Sequence, residues 1–238
     1  MNTGLKPTLN LLITFAIVAF KSTIGLAQST DNPKKFHWGF KLNPTFGYMH
    51  TQPGSGTEVG DGLKLGFSLG ATADLLFLKD WALNSQLNIT TLNGGIDAQV
   101  PVYRATPALV PLQNQRINYA VRYLELPLAV KLRTRTIGDG SRFYLKAGID
   151  PSLKLSERST ATLLTNGQVN VPVTAKLRGQ LNAIRLAALA GAGYDYRFNR
   201  YLTFTSGLIV NQGLNNVSNS RTRSLQSSYL AIEFGIYF

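Results

Sequence analysis

Ser227-Ser-Tyr-Leu-Ala-Ile-Glu-Phe-Gly-Ile-Tyr-Phe238 ends the chain, and its reading decides the fold. Side chains along a strand alternate between two faces. Leu230, Ile232, Phe234, Ile236 and Phe238 therefore share one face, and Tyr229, Ala231, Glu233, Gly235 and Tyr237 share the other. A terminal strand with an apolar face and an aromatic last residue has the form of the closing strand of a bacterial outer-membrane barrel. Phe234, Ile236 and Phe238 are accordingly the candidate C-terminal assembly signal. Such a strand needs partners on both edges, so the rest of the chain must supply them.

Working back from this stretch, the same period of two recurs upstream. Trp38, Phe40, Leu42, Phe46 and Tyr48 alternate with Gly39, Lys41, Asn43, Thr45 and Gly47, with Pro44 on the apolar face, where a local bulge or bend is expected. Further strands are expected over 63–75, 83–89, 123–133, 143–154, 183–197 and 202–211. Short links fall around Leu78 to Asp80, at Gly138-Asp139-Gly140 and at Asn199-Arg200. Long loops are expected over 50–62, 92–117, 157–181 and 213–226. The second contains Pro101, Pro107 and Pro111, and the third contains Asn166-Gly167, a hairpin signal. Eight strands with alternating short and long connections define an all-β fold, an eight-stranded antiparallel up-and-down transmembrane β-barrel. Its short turns and both termini are expected in the periplasm.

Residues 1–27 read as a signal peptide. Lys6 precedes an apolar run from Leu9 to Phe20, too short for a spanning helix, and Gly25-Leu26-Ala27 suits cleavage before Gln28. Residues 28–238 then form the barrel domain in the outer membrane of a Gram-negative cell. The formal charge of +12 includes Lys6 and Lys21, which leaves ten for the mature chain. A basic balance fits nucleic acid or an anionic membrane surface, and the leader decides against nucleic acid. Zero cysteines exclude disulfides and thiolate metal sites, and two histidines leave little for an imidazole site. No cofactor, metal or catalytic residue is expected. His50, at the end of the first strand, is the one candidate for a lipid-modifying enzyme.

Alternation alone leaves open whether the apolar face lines a soluble, lipocalin-like cavity or meets lipid. Three features favour lipid. Glycines 39, 47, 66, 70, 148, 191, 193, 207 and 235 lie on the polar face, where a narrow barrel needs room for long side chains. Trp38, Tyr48, Trp81, Tyr196, Tyr201 and Phe238 stand at strand ends, as interfacial girdles do. The leader and the terminal aromatic agree with export. The interior is then expected to hold a charge network of Lys41, Asp74, Glu125, Lys131, Lys146, Asp150, Arg185, Asp195, Arg197 and Glu233, together with Lys64, Arg122, Arg133 and Lys154. Enclosed charges must pair or stay hydrated, so a plug is expected rather than an open channel, with Glu233 facing Lys41 across the closing seam.

Arg122-Tyr-Leu-Glu-Leu-Pro-Leu-Ala-Val-Lys-Leu132, followed by Phe143-Tyr-Leu-Lys-Ala-Gly148, resembles the PorT-like outer-membrane β-barrel family of Bacteroidota. Tyr123, Glu125, Pro127, Tyr144, Lys146 and Gly148 match its Tyr-x-Glu-x-Pro and Tyr-x-Lys-x-Gly strands. The resemblance implies an integral outer-membrane protein, with an outer membrane protein beta-barrel domain and no enzyme activity. The family's namesake works in type IX secretion. The expected function is a non-enzymatic structural or binding scaffold with recognition in loops 92–117 and 157–181. Its rivals are a secretion accessory, a narrow solute channel and a lipid-modifying barrel. Expected partners are outer-membrane lipids and lipopolysaccharide, the barrel-assembly machinery and, for the accessory reading, secretion-system proteins. A monomer is expected.

Overall fold

The computed structural model describes residues 35–51, 59–60, 62–100, 113–138, 140–165, 168–169, 175–177, 181–199, 201–218 and 225–238. The expected leader, 1–27, lies outside them. Twelve strands occur: β1 (Phe36–Thr51), β2 (Val59–Gly60), β3 (Lys64–Leu76), β4 (Trp81–Val100), β5 (Gln113–Glu125), β6 (Leu128–Arg133), β7 (Arg142–Thr165), β8 (Gln168–Val169), β9 (Ala175–Leu177), β10 (Ile184–Arg197), β11 (Thr203–Gly213) and β12 (Leu225–Tyr237).

β5 and β6 are one stave interrupted at Leu126-Pro127. Both halves keep the same register on β4, with Asn88 opposite Glu125 and Ser85 opposite Leu128. The break itself stays bonded: Gln86 N–H donates to the Pro127 carbonyl at 3.0 Å, and Leu126 N–H donates to the Pro151 carbonyl at 3.0 Å. Eight antiparallel staves therefore run β1, β3, β4, β5/β6, β7, β10, β11 and β12, and β12 pairs with β1 to close the ring. Closure removes every edge, the condition for backbone to cross a bilayer as sheet. The short links 77–80, 134–141 and 198–202 lie at one end, here the turn end. The Phe238 N–H donates to the Trp38 carbonyl at 2.8 Å there, so both ends of the described barrel meet at that mouth.

One expectation about irregularity is corrected. Pro44 produces no bulge: Leu42 stands opposite Phe234 and Thr45 opposite Ala231 in unbroken register. The proline, lacking an N–H, only interrupts the β12 ladder, and the β3 ladder runs straight through. The bulge lies instead between β5 and β7, where Arg122 pairs Ser156 and Tyr123 pairs Lys154, leaving Leu155 as the extra residue. That shift resets the alternation, so Lys154 and Glu157 come within 2.7 Å of each other although three apart.

The loops expected over 92–117 and 157–181 are shorter than read. β4 continues to Val100, β5 starts at Gln113 and β7 continues to Thr165. The three prolines stand in 101–112, which lies outside the described residues. Leu164 and Thr165 pair with Val169 and Gln168, and the Asn166-Gly167 hairpin signal between them lies outside the described residues.

The apolar face points outward. Phe40 is 56 % exposed, Leu69 53 % and Leu145 60 %, members of a belt that also includes Leu42, Leu87, Ile149, Leu208 and Phe234. A continuous apolar belt around a closed sheet is far larger than a soluble monomer leaves uncovered. The exposed aromatics concentrate at the turn end, where Trp38 packs on Phe238 with ring centroids 5.1 Å apart and Phe198 on Phe204 at 6.0 Å. Tyr48 differs from the girdle reading: it is half-buried, and its hydroxyl donates to Gln212 Oε1 at 3.0 Å.

Candidate functional site: the filled interior and its turn-end mouth

The period of two that sends leucine outward sends charge inward. Among the described residues the buried charged side chains are Lys41, Lys131, Arg133, Lys146 and Arg185, against Asp74, Glu125, Asp150, Asp195 and Glu233. Five cations thus face five acids, where the sequence suggested nine against five. The difference comes from four residues. Arg122 is exposed, because its neighbours Tyr123 and Glu125 take the inward positions of β5, and it does not belong to the interior. Arg197 is exposed at the turn-end rim rather than enclosed. Lys64 and Lys154 are only partly buried, and Lys154 pairs with Glu157.

The charges form three connected groups. Nearest the turn end, Asp74 of β3 accepts from Arg133, from Lys131 Nζ at 3.2 Å and from Asn84 Nδ2 at 2.5 Å. Lys131 also meets Asp195 Oδ2 at 3.0 Å, and its ammonium lies 4.1 Å from the centroid of the Tyr144 ring. Deeper in, Glu233 of β12 joins three staves. Lys41 of β1 lies 3.0 Å from Oε2, Lys146 of β7 lies 2.5 Å from the same oxygen, and the Tyr144 hydroxyl donates to Oε1 at 2.6 Å. The Lys41 and Glu233 pair expected across the seam is thus in place, offset by two residues because Lys41 stands opposite Gly235.

Further toward the long loops, Arg185 stands between Asp150 at 3.7 Å and Glu125 at 3.8 Å, and donates to the Ser227 carbonyl at 3.0 Å and to Asn211. Thr90 and Tyr229 donate to Glu125 Oε2 at 2.6 and 3.2 Å, and Asn211 Nδ2 donates to Asp150 Oδ2 at 2.6 Å. Beyond this group the interior is apolar: Met49, Leu92, Tyr119, Val121, Leu181, Val217 and Leu225 are all buried in one cluster. The lumen is therefore filled twice, by charge at one depth and by hydrocarbon at another.

The interior glycines divide by what they make room for. A Cβ at Gly207 would come 2.5 Å from the Tyr144 hydroxyl, one at Gly235 would come 2.9 Å from Lys41 Cγ, and one at Gly191 would come 3.1 Å from Lys146 Cε. Those at Gly39 and Gly148 would meet the carbonyl of a paired strand instead, and one at Gly47 would meet the Asn93 carbonyl of β4, one strand further round, which reflects tight curvature. The sequence reading missed Asn84, Thr90, Tyr144, Asn211 and Tyr237 as members of the network. Tyr144 and Tyr237 share the parity of Lys146 and Glu233, and Asn84, Thr90 and Asn211 share the parity of the polar face of their strands, which was the available signal. The apolar inner cluster had no such signal, because its members are spread over strands whose ends were read as loops.

Of the other residues singled out, Gly191 and Gly193 are strand residues of β10, with no helix to follow. His50 lies on β1 opposite Gln226, and its side chain is outside what the structure describes. Among the described residues no group of three or more His, Cys, Asp or Glu is arranged to hold a metal. Phe234, Ile236 and Phe238 face outward, 48 %, 37 % and 40 % exposed.

A closed eight-stave barrel with lipid-compatible walls and a charge-filled lumen defines the class: a transmembrane β-barrel. More particularly, the chain belongs to the family described as outer membrane protein beta-barrel domain, whose model matches residues 26–219. Among solved structures it is similar to neisserial surface protein A (13 % identity, TM-score 0.43, covering 87 % of this chain and 100 % of that one). It is also similar to OprG of Pseudomonas aeruginosa (14 %, 0.41, 85 % and 94 %) and to Ail, the attachment invasion locus protein of Yersinia pestis (10 %, 0.36, 86 % and 99 %). No curated protein sequence matches the chain.

Proposed function

We propose that this protein is a non-conducting, non-enzymatic outer-membrane scaffold that binds through the segments joining its staves at the long-loop end. The carrying observation is the lumen, where five cations face five acids beneath an apolar inner layer. An eight-stranded barrel is wide enough for side chains and little else, and here they occupy it. With solute passage unsupported, recognition falls to connections held on a rigid frame. In this reading the turn end and both termini are periplasmic, the belt meets outer-membrane lipid and the long connections meet lipopolysaccharide. The protein is a monomer delivered by the barrel-assembly machinery.

The narrower likeness to PorT-like barrels of Bacteroidota rests on residues that are part of the plug. Tyr123, Glu125, Tyr144 and Lys146 are buried inside the barrel. Gly148 is packed against the Leu128 carbonyl. Such residues support a shared way of filling a barrel, and they do not argue for a shared role in secretion.

Conductance tests the proposal. Purified protein inserted in planar bilayers is expected to give no discrete channel openings. Regular openings of fixed size in the wild-type protein would replace the scaffold with the solute-channel reading.

A further inference from the structure

At the turn-end mouth lies a cavity of about 360 Å³ whose wall includes Arg133, Arg142 and Arg197, with Asp195, Tyr201 and Phe238. The three arginines come from the neighbouring staves β6, β7 and β10. Arg133 is committed to Asp74, and Asp195 is committed to Lys131 at 3.0 Å. Arg142 and Arg197 have no such commitment. Arg142 Nε donates to Thr136 Oγ1 at 3.1 Å, and among the described residues no carboxylate lies within ion-pair distance of either guanidinium. The turn leaves room for this: Gly140 has φ +107°, and a Cβ there would come 3.2 Å from Arg197 Cδ. Because the buried charges of the described residues already balance five to five, these two positive charges are surplus to that network.

We propose that this cavity binds a phosphate group. Two surplus guanidiniums beside a third offset the double charge of a phosphate monoester or the single charge of a phospholipid's phosphodiester. Planar forks of N–H donors suit its oxygens better than a lone ammonium does. A concave wall whose three arginines outnumber its one acid, Asp195, focuses a positive field and raises the local anion concentration. The volume leaves space for an ester substituent, and Phe238 and Tyr201, both exposed, give the rim an apolar side. The phosphate comes from a soluble ester or from the headgroup of an anionic phospholipid in the adjoining leaflet. Only that choice of source rests on the orientation proposed above.

Two arms separate the sources. In the first, barrel folded in dodecyl maltoside is titrated by calorimetry with glycerol 3-phosphate, inorganic phosphate and succinate. In the second, barrel in phosphatidylcholine nanodiscs carrying some phosphatidylglycerol is released into detergent, and mass spectrometry counts the phosphatidylglycerol retained. Saturable binding of one phosphate compound per barrel in either arm is expected. The double variant Arg142→Gln/Arg197→Gln should weaken it at least tenfold, and Lys79→Gln, on the neighbouring turn, should leave it unchanged. Both variants should keep heat-modifiable migration, since none of the three residues belongs to the interior network. Absence of saturable binding in both arms overturns the proposal, as does a double variant that binds like wild type or binding of succinate in place of phosphate. Orientation is read separately. Lys79→Cys would be the only thiol in the chain. Its labelling by an impermeant maleimide on intact cells would overturn the orientation and leave the binding result standing.

Discussion

Glu233 is the residue on which the interior turns, since one carboxylate on the closing strand holds Lys41, Lys146 and Tyr144 from two other staves. Two charged ammoniums have no other acid within ion-pair distance among the described residues. Removing one partner of a buried pair leaves an uncompensated charge and costs about 3–5 kcal/mol. Glu233→Ala should therefore lower the unfolding free energy of the purified barrel, read from urea denaturation, by an amount of that order, whereas Arg122→Gln, on the exposed side of β5, should change it by less than about 0.5 kcal/mol. Equal effects of the two would mean that the charges inside are hydrated rather than paired. The glycine-to-carbonyl approaches and the glycine-to-tyrosine ones answer different needs, and Gly207 belongs to the second kind because it leaves room for the Tyr144 hydroxyl that reaches Glu233.

At the scale of the strand, β12 is both the last element made and the one that abolishes the edge. It pairs with β11 from Thr203 opposite Tyr237 to Asn211 opposite Tyr229, and with β1 from Gly39 opposite Tyr237 to Thr51 opposite Leu225. Deleting Phe234 to Phe238 removes the turn-end half of both ladders and exposes unpaired backbone to lipid, so no heat-modifiable, protease-resistant barrel should form. Phe238→Ala keeps every strand pairing and removes the stack on Trp38, so it should slow insertion into vesicles and leave the final folded yield unchanged. Band-shift gels followed over time distinguish the two outcomes. Strands of this kind were legible wherever leucine or phenylalanine alternates with lysine, glycine or asparagine, as in β3 and β12. They were less legible above Leu92 and Glu157, where polar residues occupy both faces and the alternation loses contrast. The bulge at Leu155 was invisible because a one-residue register shift depends on the partner strand, and the proline at 44 misled because its missing N–H interrupts a ladder without shifting it.

The whole molecule is built on a single division: hydrocarbon outside, charge inside. The five-to-five balance could not be read from the sequence, because which of Arg122, Arg133 and Arg197 turns inward depends on stave phase and on where the barrel ends. The division itself could be read, and it is open to direct measurement because the chain has no cysteine, so that any introduced thiol is the sole labelling site. Single nitroxide labels at Leu69→Cys, Leu145→Cys and Leu208→Cys, in protein reconstituted into phospholipid vesicles, report collision with oxygen dissolved in lipid against collision with a water-soluble nickel chelate. Oxygen should dominate at all three positions. Collision dominated by the nickel chelate at these positions would place the apolar face away from lipid and contradict the barrel described here.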